Sequence, residues 1–344
     1  MRLQSVTLII SILFRIAITQ SLYINTLVNP YESVDWETFG QYKANLHTHT
    51  TQSDGKYTPD QTIDIYRERG YQILSITDHN KVTWPWSAFG RDPSELNMIA
   101  IEGNEISNTH HLGSYFCSFN STTSDELFAL SEIGALGGLA VLFHPGRYNL
   151  EIDWYVNLYK NHPHLVGLEV INQEDRYKGD RLTWDAILSE LLPERMVWGF
   201  ANDDMHRDAH IAKNWNVFLL PELNGEEVRK AMENGTFYFS SNSTIYGTDG
   251  APPVINSIYH DKTGSILSVS AENTMRILWI SQGKAIAEGP FLAYNDITIP
   301  GNYVRAQLTG PGGESFTQPF TIIKEKLPAV RNRTLCLNTG LGNR

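Results

Sequence analysis

Along the first two thirds of this chain, short apolar runs repeatedly end in a cluster of histidines and carboxylates. The first such cluster is Asn45-Leu46-His47-Thr48-His49-Thr50-Thr51-Gln52-Ser53-Asp54-Gly55. Residues two apart on a strand share a face. His47 and His49 therefore aim both imidazoles at one point, and Asp54 returns from the following loop to add an oxygen. Nitrogen donors with a hard carboxylate suit Zn, Mn or Fe. The echoes downstream are Thr77-Asp78-His79-Asn80, Gly103-Asn104-Glu105, His110-His111, His144-Pro145-Gly146 and Asp203-Asp204-Met205-His206. Seven of the eleven histidines sit in these motifs, so the strand ends that carry them are expected to converge.

The stretches between the motifs supply the rest of an α/β pattern. Residues 42–46 predict a first strand. Thr58-Pro59-Asp60-Gln61 predicts a helix start, with Thr58 as cap, Pro59 in the first turn and Gln61 completing a capping box. Ile63, Ile65 and Tyr66 open its apolar face, and Gly70 ends it. Further strands are expected at 73–76, 98–101, 115–119, 139–143, 166–171, 196–201, 217–220 and 237–240. Helices are expected at 124–133, with Ser124 as cap, and at 184–192 and 226–232. Continuous apolar strands between helices indicate a parallel sheet covered on both faces. The repeated order of strand, ligand, loop and helix is that of a barrel with its chemistry at the C-terminal strand ends. From about residue 250 the pattern changes to polar-apolar alternation, at 265–270, 275–280 and 303–308, with a hairpin turn at Pro311-Gly312-Gly313. Short alternating strands predict a small antiparallel β-sandwich.

The formal net charge of −11 excludes strong non-specific nucleic-acid binding, which needs a basic surface. It does not exclude a nucleotide or a strand end held at a metal centre. Residues 1–21 read as a secretory signal, with Arg2 ahead of an apolar stretch from Val6 to Ile18. Arg15 interrupts that stretch, which is too short to span a membrane comfortably. The sequons at Asn120, Asn234, Asn242 and Asn332 fit a secreted glycoprotein. Two cysteines, Cys117 and Cys336, permit one disulfide outside the cell, the alternative being two separate thiols. The domain reading is a signal at 1–21, a metallohydrolase barrel at 22–245, a β-sandwich at 246–326 and a tail at 327–344.

The motifs resemble those of the PHP (polymerase and histidinol phosphatase) superfamily, in that family's order. The resemblance rests on His47-Thr48-His49, Asp54, Thr77-Asp78-His79-Asn80, Gly103-Asn104-Glu105, His110-His111-Leu112-Gly113, His144-Pro145 and Asp204-Met205-His206, and covers about residues 42–245. It implies a distorted (β/α)7 barrel holding two or three divalent metal ions (Mn, Zn or Fe). It also implies metal ligands at His47, His49, Asp54, His79, Glu105, His110, His144, Asp204 and His206. His110 is preferred to His111 because it lies three residues before Gly113. Asp204 is preferred to Asp203 for the Asp-x-His spacing. Nine such donors are too many for one ion. Two ions can bridge a hydroxide, which becomes the nucleophile, and clamp a phosphoryl oxygen.

The implied activity is metal-dependent hydrolysis of phosphate monoesters or diesters, on a small phosphorylated substrate or a nucleic-acid end. Arg147 is a candidate phosphate contact, with Arg176 and Lys178 behind it. Asp78 is a candidate to orient a neighbouring ligand, and Glu169, inside an apolar strand, is either a support of the site or a core polar group. Trp84, Trp86 and Trp154 are read as packing residues, or else as a pocket for a base. His162, His164, His210 and His260 are expected at the surface or in packing. Two competing readings stand: a secreted adhesion protein on a metal-binding barrel, and a related metallohydrolase acting on a non-phosphate bond.

Overall fold

The computed structural model describes residues 23–242 and 250–326. The expected signal sequence, the expected tail, Asn332 and Cys336 lie outside the described residues. Two compact units divide the chain. The smaller takes residues up to Thr26 and from Ile323, of which 23–26 and 323–326 are described as extended strand. The larger, Leu27–Ile322, holds the elements below except the outer residues of β1 and β19.

Its first sheet begins with β2 (Gly40–Asn45), β3 (Ile73–Ser75) and β4 (Ile99–Ile101), all parallel; β1 (Tyr23–Val28) precedes them in the chain. β3 is buried throughout, as a strand covered on both faces requires, while β2 is buried only at Ala44 and Asn45 and β4 only at Ile101. The helix α1 (Pro59–Glu68) links β2 to β3. Gln61 accepts the Thr58 N–H at 3.1 Å, which completes the predicted capping box. Asp92 caps the one-turn helix α2 (Pro93–Leu96), which leads into β4.

The second sheet has the order β5 (Gly103–Ile106), β6 (Leu112–Tyr115), β7 (Leu139–Leu142), β8 (Leu165–Asn172) and β9 (Trp198–Asn202). β5, β6 and β7 pair antiparallel, while β7, β8 and β9 run parallel. The helices α3 (Glu126–Ala135), α4 (Ile152–Asn161) and α5 (Asp180–Leu191) bury Leu130, Tyr159, Trp184 and Leu188 against it. Asp125, not Ser124, caps α3, by accepting the N–H groups of Leu127 and Phe128. The strand expected at 115–119 lies earlier, because the chain turns out of the sheet at Phe116, whose φ is +59°.

Among the described residues the two sheets do not close into one hydrogen-bonded ring. Isolated parallel bridges, Thr48 to Met205 and His79 to Glu105, tie them at the end where the motifs lie. Leu46, Val141, Phe143, Phe200, Phe218 and Phe237 fill the space between them.

The first sheet continues on its other side through antiparallel β10 (Asn214–Leu220) and β11 (Phe237–Ser241), which α6 (Gly225–Asn234) connects. β11 pairs with β18 (Gly313–Phe316), so the sheet runs on into β17 (Tyr303–Gly310), β14 (Arg276–Ser281) and β15 (Lys284–Glu288). β19 (Phe320–Lys326) pairs with β17. A third, three-stranded sheet of β12 (Val254–Asp261), β13 (Ile266–Glu272) and β16 (Phe291–Ala293) stands apart in its pairing. One core of Ile255, Ile258, Leu267, Val269, Trp279 and Leu308 draws on both sheets, as alternating inward residues of a sandwich do.

Candidate metal centre

Five strands deliver these ionisable side chains to one place. His47 and His49 follow β2, His79 follows β3, Glu105 lies on β5, His144 follows β7, and Asp204 and His206 follow β9. Backbone bonds hold these ends in register: His49 N–H to Met205 O at 2.9 Å, Thr77 N–H to Thr48 O at 2.8 Å, and Asn80 N–H to Glu105 O at 2.7 Å. His144 and Asp204 both adopt left-handed φ, +29° and +44°. A non-glycine residue holds that conformation only where its surroundings enforce it.

The donor atoms fall into four overlapping groups. His47 Nε2, His49 Nε2 and Asp204 Oδ1 form a triangle with edges of 3.1, 3.3 and 3.1 Å. Glu105 Oε1 lies 3.5 Å from His47 Nε2 and 3.3 Å from His144 Nε2. The same Oε1 is 2.6 Å from His111 Nδ1, and Oε2 is 2.8 Å from His79 Nδ1. Asp54 closes the fourth group, at 3.7 Å from His49 Nδ1, 3.4 Å from His79 Nε2 and 3.3 Å from His206 Nε2. Ligands held about 2.0–2.1 Å from one ion stand roughly 2.9–3.4 Å from each other.

The Nδ1 atoms of His49, His79 and His144 and the Oε2 of Glu105 have no hydrogen-bond partner, although buried. His79 Nδ1 approaches Glu105 Oε2 without hydrogen-bond geometry. Buried lone pairs that face each other unpaired are costly unless a cation sits among them. Burial alone would raise the carboxyls of Glu105 and Asp204. The charge of His47 outweighs it, aided at Glu105 by His111 and His144 and at Asp204 by His49, and both stay far below the usual carboxylate range. Donor set and spacing fit divalent metal ions.

The sequence-predicted residues divide as follows. His47, His49, Asp54, His79, Glu105, His144, Asp204 and His206 meet in the cluster. His110 does not. Its Nδ1 lies 3.4 Å from Glu126, and its ring packs against Tyr148 and Trp154. His111 takes the place instead, because the β6 register pairs Leu112 with Ile106 and so sets His111 beside Glu105. Asp203 points away, accepting the N–H groups of Ala212, Lys213 and Asn214 and the Tyr66 hydroxyl. Burial outweighs those bonds and raises its carboxyl to about 6.

Asp78 stays out of the donor groups. It accepts from Thr50 N–H, Thr50 Oγ1, Ser53 Oγ and Thr83 Oγ1 at 2.6–2.7 Å, which folds the loop that presents Asp54. Glu169 is fully buried and supports three ligand-bearing strands. It takes His47 Nδ1 at 2.8 Å, His144 N–H at 3.0 Å, and the amides of Asn172 and Asn202 at 2.9 and 3.0 Å. Nδ1–H donation to Glu169 fixes the His47 tautomer and turns the Nε2 lone pair toward the cluster.

A cavity of about 740 Å³ opens over the cluster. Arg147, Arg176 and Arg207 line it, with Ser107, Gln173, Glu174 and His210. Lys178 and the tryptophans are not among its lining residues; Trp86 is buried in packing and Trp154 rests on the core of the second sheet. The sequence assigns His210 to the surface or to packing and does not single out Ser107, Gln173, Glu174 or Arg207. Arg207 and His210 follow the last motif within four residues, which is the one signal that could have marked them.

No protein-family profile matches the chain. Among curated proteins, a 50-residue stretch is 36% identical to the DNA polymerase/3'-5' exonuclease PolX of Bacillus subtilis (strain 168). That stretch is 14% of this chain and only 9% of the polymerase. Among solved structures, a two-domain protein from Bacteroides vulgatus containing a predicted PHP-like metal-dependent phosphoesterase aligns with a TM-score of 0.51 at 16% identity. The alignment covers 84% of this chain and 88% of that one. The lesion-specific endonuclease EndoQ of Pyrococcus furiosus aligns with a TM-score of 0.38 at 12% identity, over 56% of each chain. The chain therefore shares its fold with that Bacteroides vulgatus protein over most of its length.

Proposed function

We propose that this protein is a metal-dependent hydrolase of phosphate esters. The observation that carries the reading is the juxtaposition of nine histidine and carboxylate side chains, in four shared donor groups, with three arginines lining the cavity above them. His111 stands in place of His110 in this set, and two or three ions of Mn, Zn or Fe type suit the mixture of imidazole and carboxylate. When bound, such ions supply Lewis acidity toward a phosphoryl oxygen and acidify water.

The chain's own residues do the rest. Glu105 offers both oxygens to neighbouring donor groups and so spaces them. Arg147, Arg176 and Arg207 present forked donors to the phosphate oxygens turned away from the cluster, where guanidinium geometry suits bidentate contact. Gln173 donates from Nε2 to Asp204 Oδ2 at 3.0 Å and holds that carboxylate in place. The cavity opens to solvent at exposed Asp54, which admits a monoester or the end of a diester.

We read the two bridged sheets as a distorted, opened (β/α)7 barrel, and the β12–β19 region as its companion sandwich. Secretion is proposed on the N-terminal pattern and on the exposure of Asn120, Asn234 and Asn242. Among the described residues no helix is long and apolar enough to cross a membrane.

The test is hydrolysis of a generic phosphomonoester and a generic phosphodiester by purified protein loaded with Mn²⁺ or Zn²⁺. The His111→Ala protein should lose about two or more orders of magnitude in kcat, and His110→Ala should stay near wild type. A metal-loaded wild type that turns over neither ester would move the reading to a hydrolase of a non-phosphate bond or to a binding protein.

A further inference from the structure

The loop after β8 supplies Gln173, Glu174 and Arg176 to the cavity. Two of its residues, Gln173 and Asp175, have φ of +51° and +60°. Neither is glycine, and such a backbone persists where surrounding groups impose it. Asp175 is not among the lining residues. Its buried carboxylate accepts from Nη1 of Arg181, the second residue of α5, at 2.7 Å. The other fork of Arg181, Nη2, reaches Glu314 Oε2 on β18 at 3.2 Å. Glu314 Oε1 accepts from Gln307 Nε2 on β17 at 2.8 Å. The Arg181 guanidinium also lies 5.4 Å from the Phe316 ring centroid. A chain of directed bonds therefore runs from the C-terminal strands, through α5, into the loop that faces the site.

We propose that Glu314 is a positioning residue. Through Arg181 and Asp175 it sets the conformation of the 173–179 loop, and with it the affinity of the site for its phosphate ester. The affinity clause rests on the hydrolase reading; the brace itself rests on the contacts. A buried ion cluster is a poor way to add stability, since packed apolar groups serve as well. What it supplies is direction. The planar fork of an arginine joins two carboxylates in one fixed geometry, which a lysine ammonium does not reproduce.

Two variants separate this role from general destabilisation. Glu314→Gln keeps the side-chain shape and the acceptor for Gln307, and leaves Arg181 charge-balanced by Asp175. Arg181→Lys keeps the charge and removes the fork. The full-length, metal-loaded protein is read by amide hydrogen exchange across 173–179 and by KM and kcat on a generic phosphomonoester. In both variants the loop amides should exchange about tenfold faster while the sheets keep their protection, and KM should rise about tenfold with kcat within about twofold. Unchanged loop exchange in both variants would overturn the brace. So would an unchanged KM, or a kcat that falls only in step with the loss of folded protein. If the wild type cleaves no ester, the hydrolase reading fails by itself, loop exchange still decides the brace, and calorimetric affinity for inorganic phosphate takes the place of KM.

Discussion

At the scale of single residues, this site is governed by which lone pairs are left facing one another. Glu169 decides that for His47, because accepting from Nδ1 leaves only Nε2 for the cluster. It makes three other contacts, to the His144 amide and to two asparagines, and thereby couples β8 to the ends of β2, β7 and β9. The stacked Phe143 ring, 3.7 Å from the His47 ring centroid, leaves the imidazole little room to turn. A Glu169→Gln protein keeps the volume but not the charge that orients the imidazole. It should bind its metal about 10–100-fold more weakly, as losses of such supporting carboxylates do, while the far-ultraviolet spectrum stays unchanged. Equal metal affinity in competition with a fluorescent chelator would show that Glu169 is only a core polar group.

At the scale of elements, α5 carries a cost at its first residue. Asp180 is buried against the Pro145-Gly146 turn, and burial raises its carboxyl to about 8, with Glu169 and Asp175 adding to the shift and the Gly146 amide and Arg181 opposing it. The native state then holds a proton that the unfolded chain releases near pH 4. Stability is lost as pH rises from about 4 through about 8. Asp180→Asn should remove the slope. Its melting temperature should match wild type only at or below about pH 4 and exceed it by several degrees near about pH 8. Parallel melting curves at both pH values would refute the assignment. Elements also mark how far the sequence could be read. The His-x-His alternation and the apolar runs ahead of each motif made the strands and eight of the cluster residues legible, since burial and periodicity act locally. The doubled histidine was not legible, because His110 and His111 differ only through the register that β6 takes against β5. Glu169 stood out as a charge in an apolar strand, but three of its four partners, His47, His144 and Asn202, come from distant segments. The antiparallel pairing of β5, β6 and β7 was equally hidden, since an apolar run does not state its direction.

At the scale of the whole molecule, the cluster lies where two sheets meet without forming a closed ring. His47, His49 and His79 come from the first sheet, and Glu105, His111, His144, Asp204 and His206 from the second. Any ion shared among them is therefore a fastening between the sheets. Removing it leaves Asp54, Glu105 and Asp204 gathered around the His49 ring in a protein whose formal charge is already −11. An ion present at about 100 times its dissociation constant contributes about 2.7 kcal/mol to the native state. For a chain of this size that is several degrees of melting temperature. Chelation should lower the melting temperature by that order, and Mn²⁺ or Zn²⁺ should restore it. Ca²⁺ should restore little, because it favours all-oxygen ligand sets over imidazole. The decisive comparison repeats the titration in His49→Ala, whose ring borders the donor groups of both sheets. That variant should melt near the chelated wild type and gain little from added metal. A wild type that melts at the same temperature with and without chelator would mean that the donors hold the sheets together unaided.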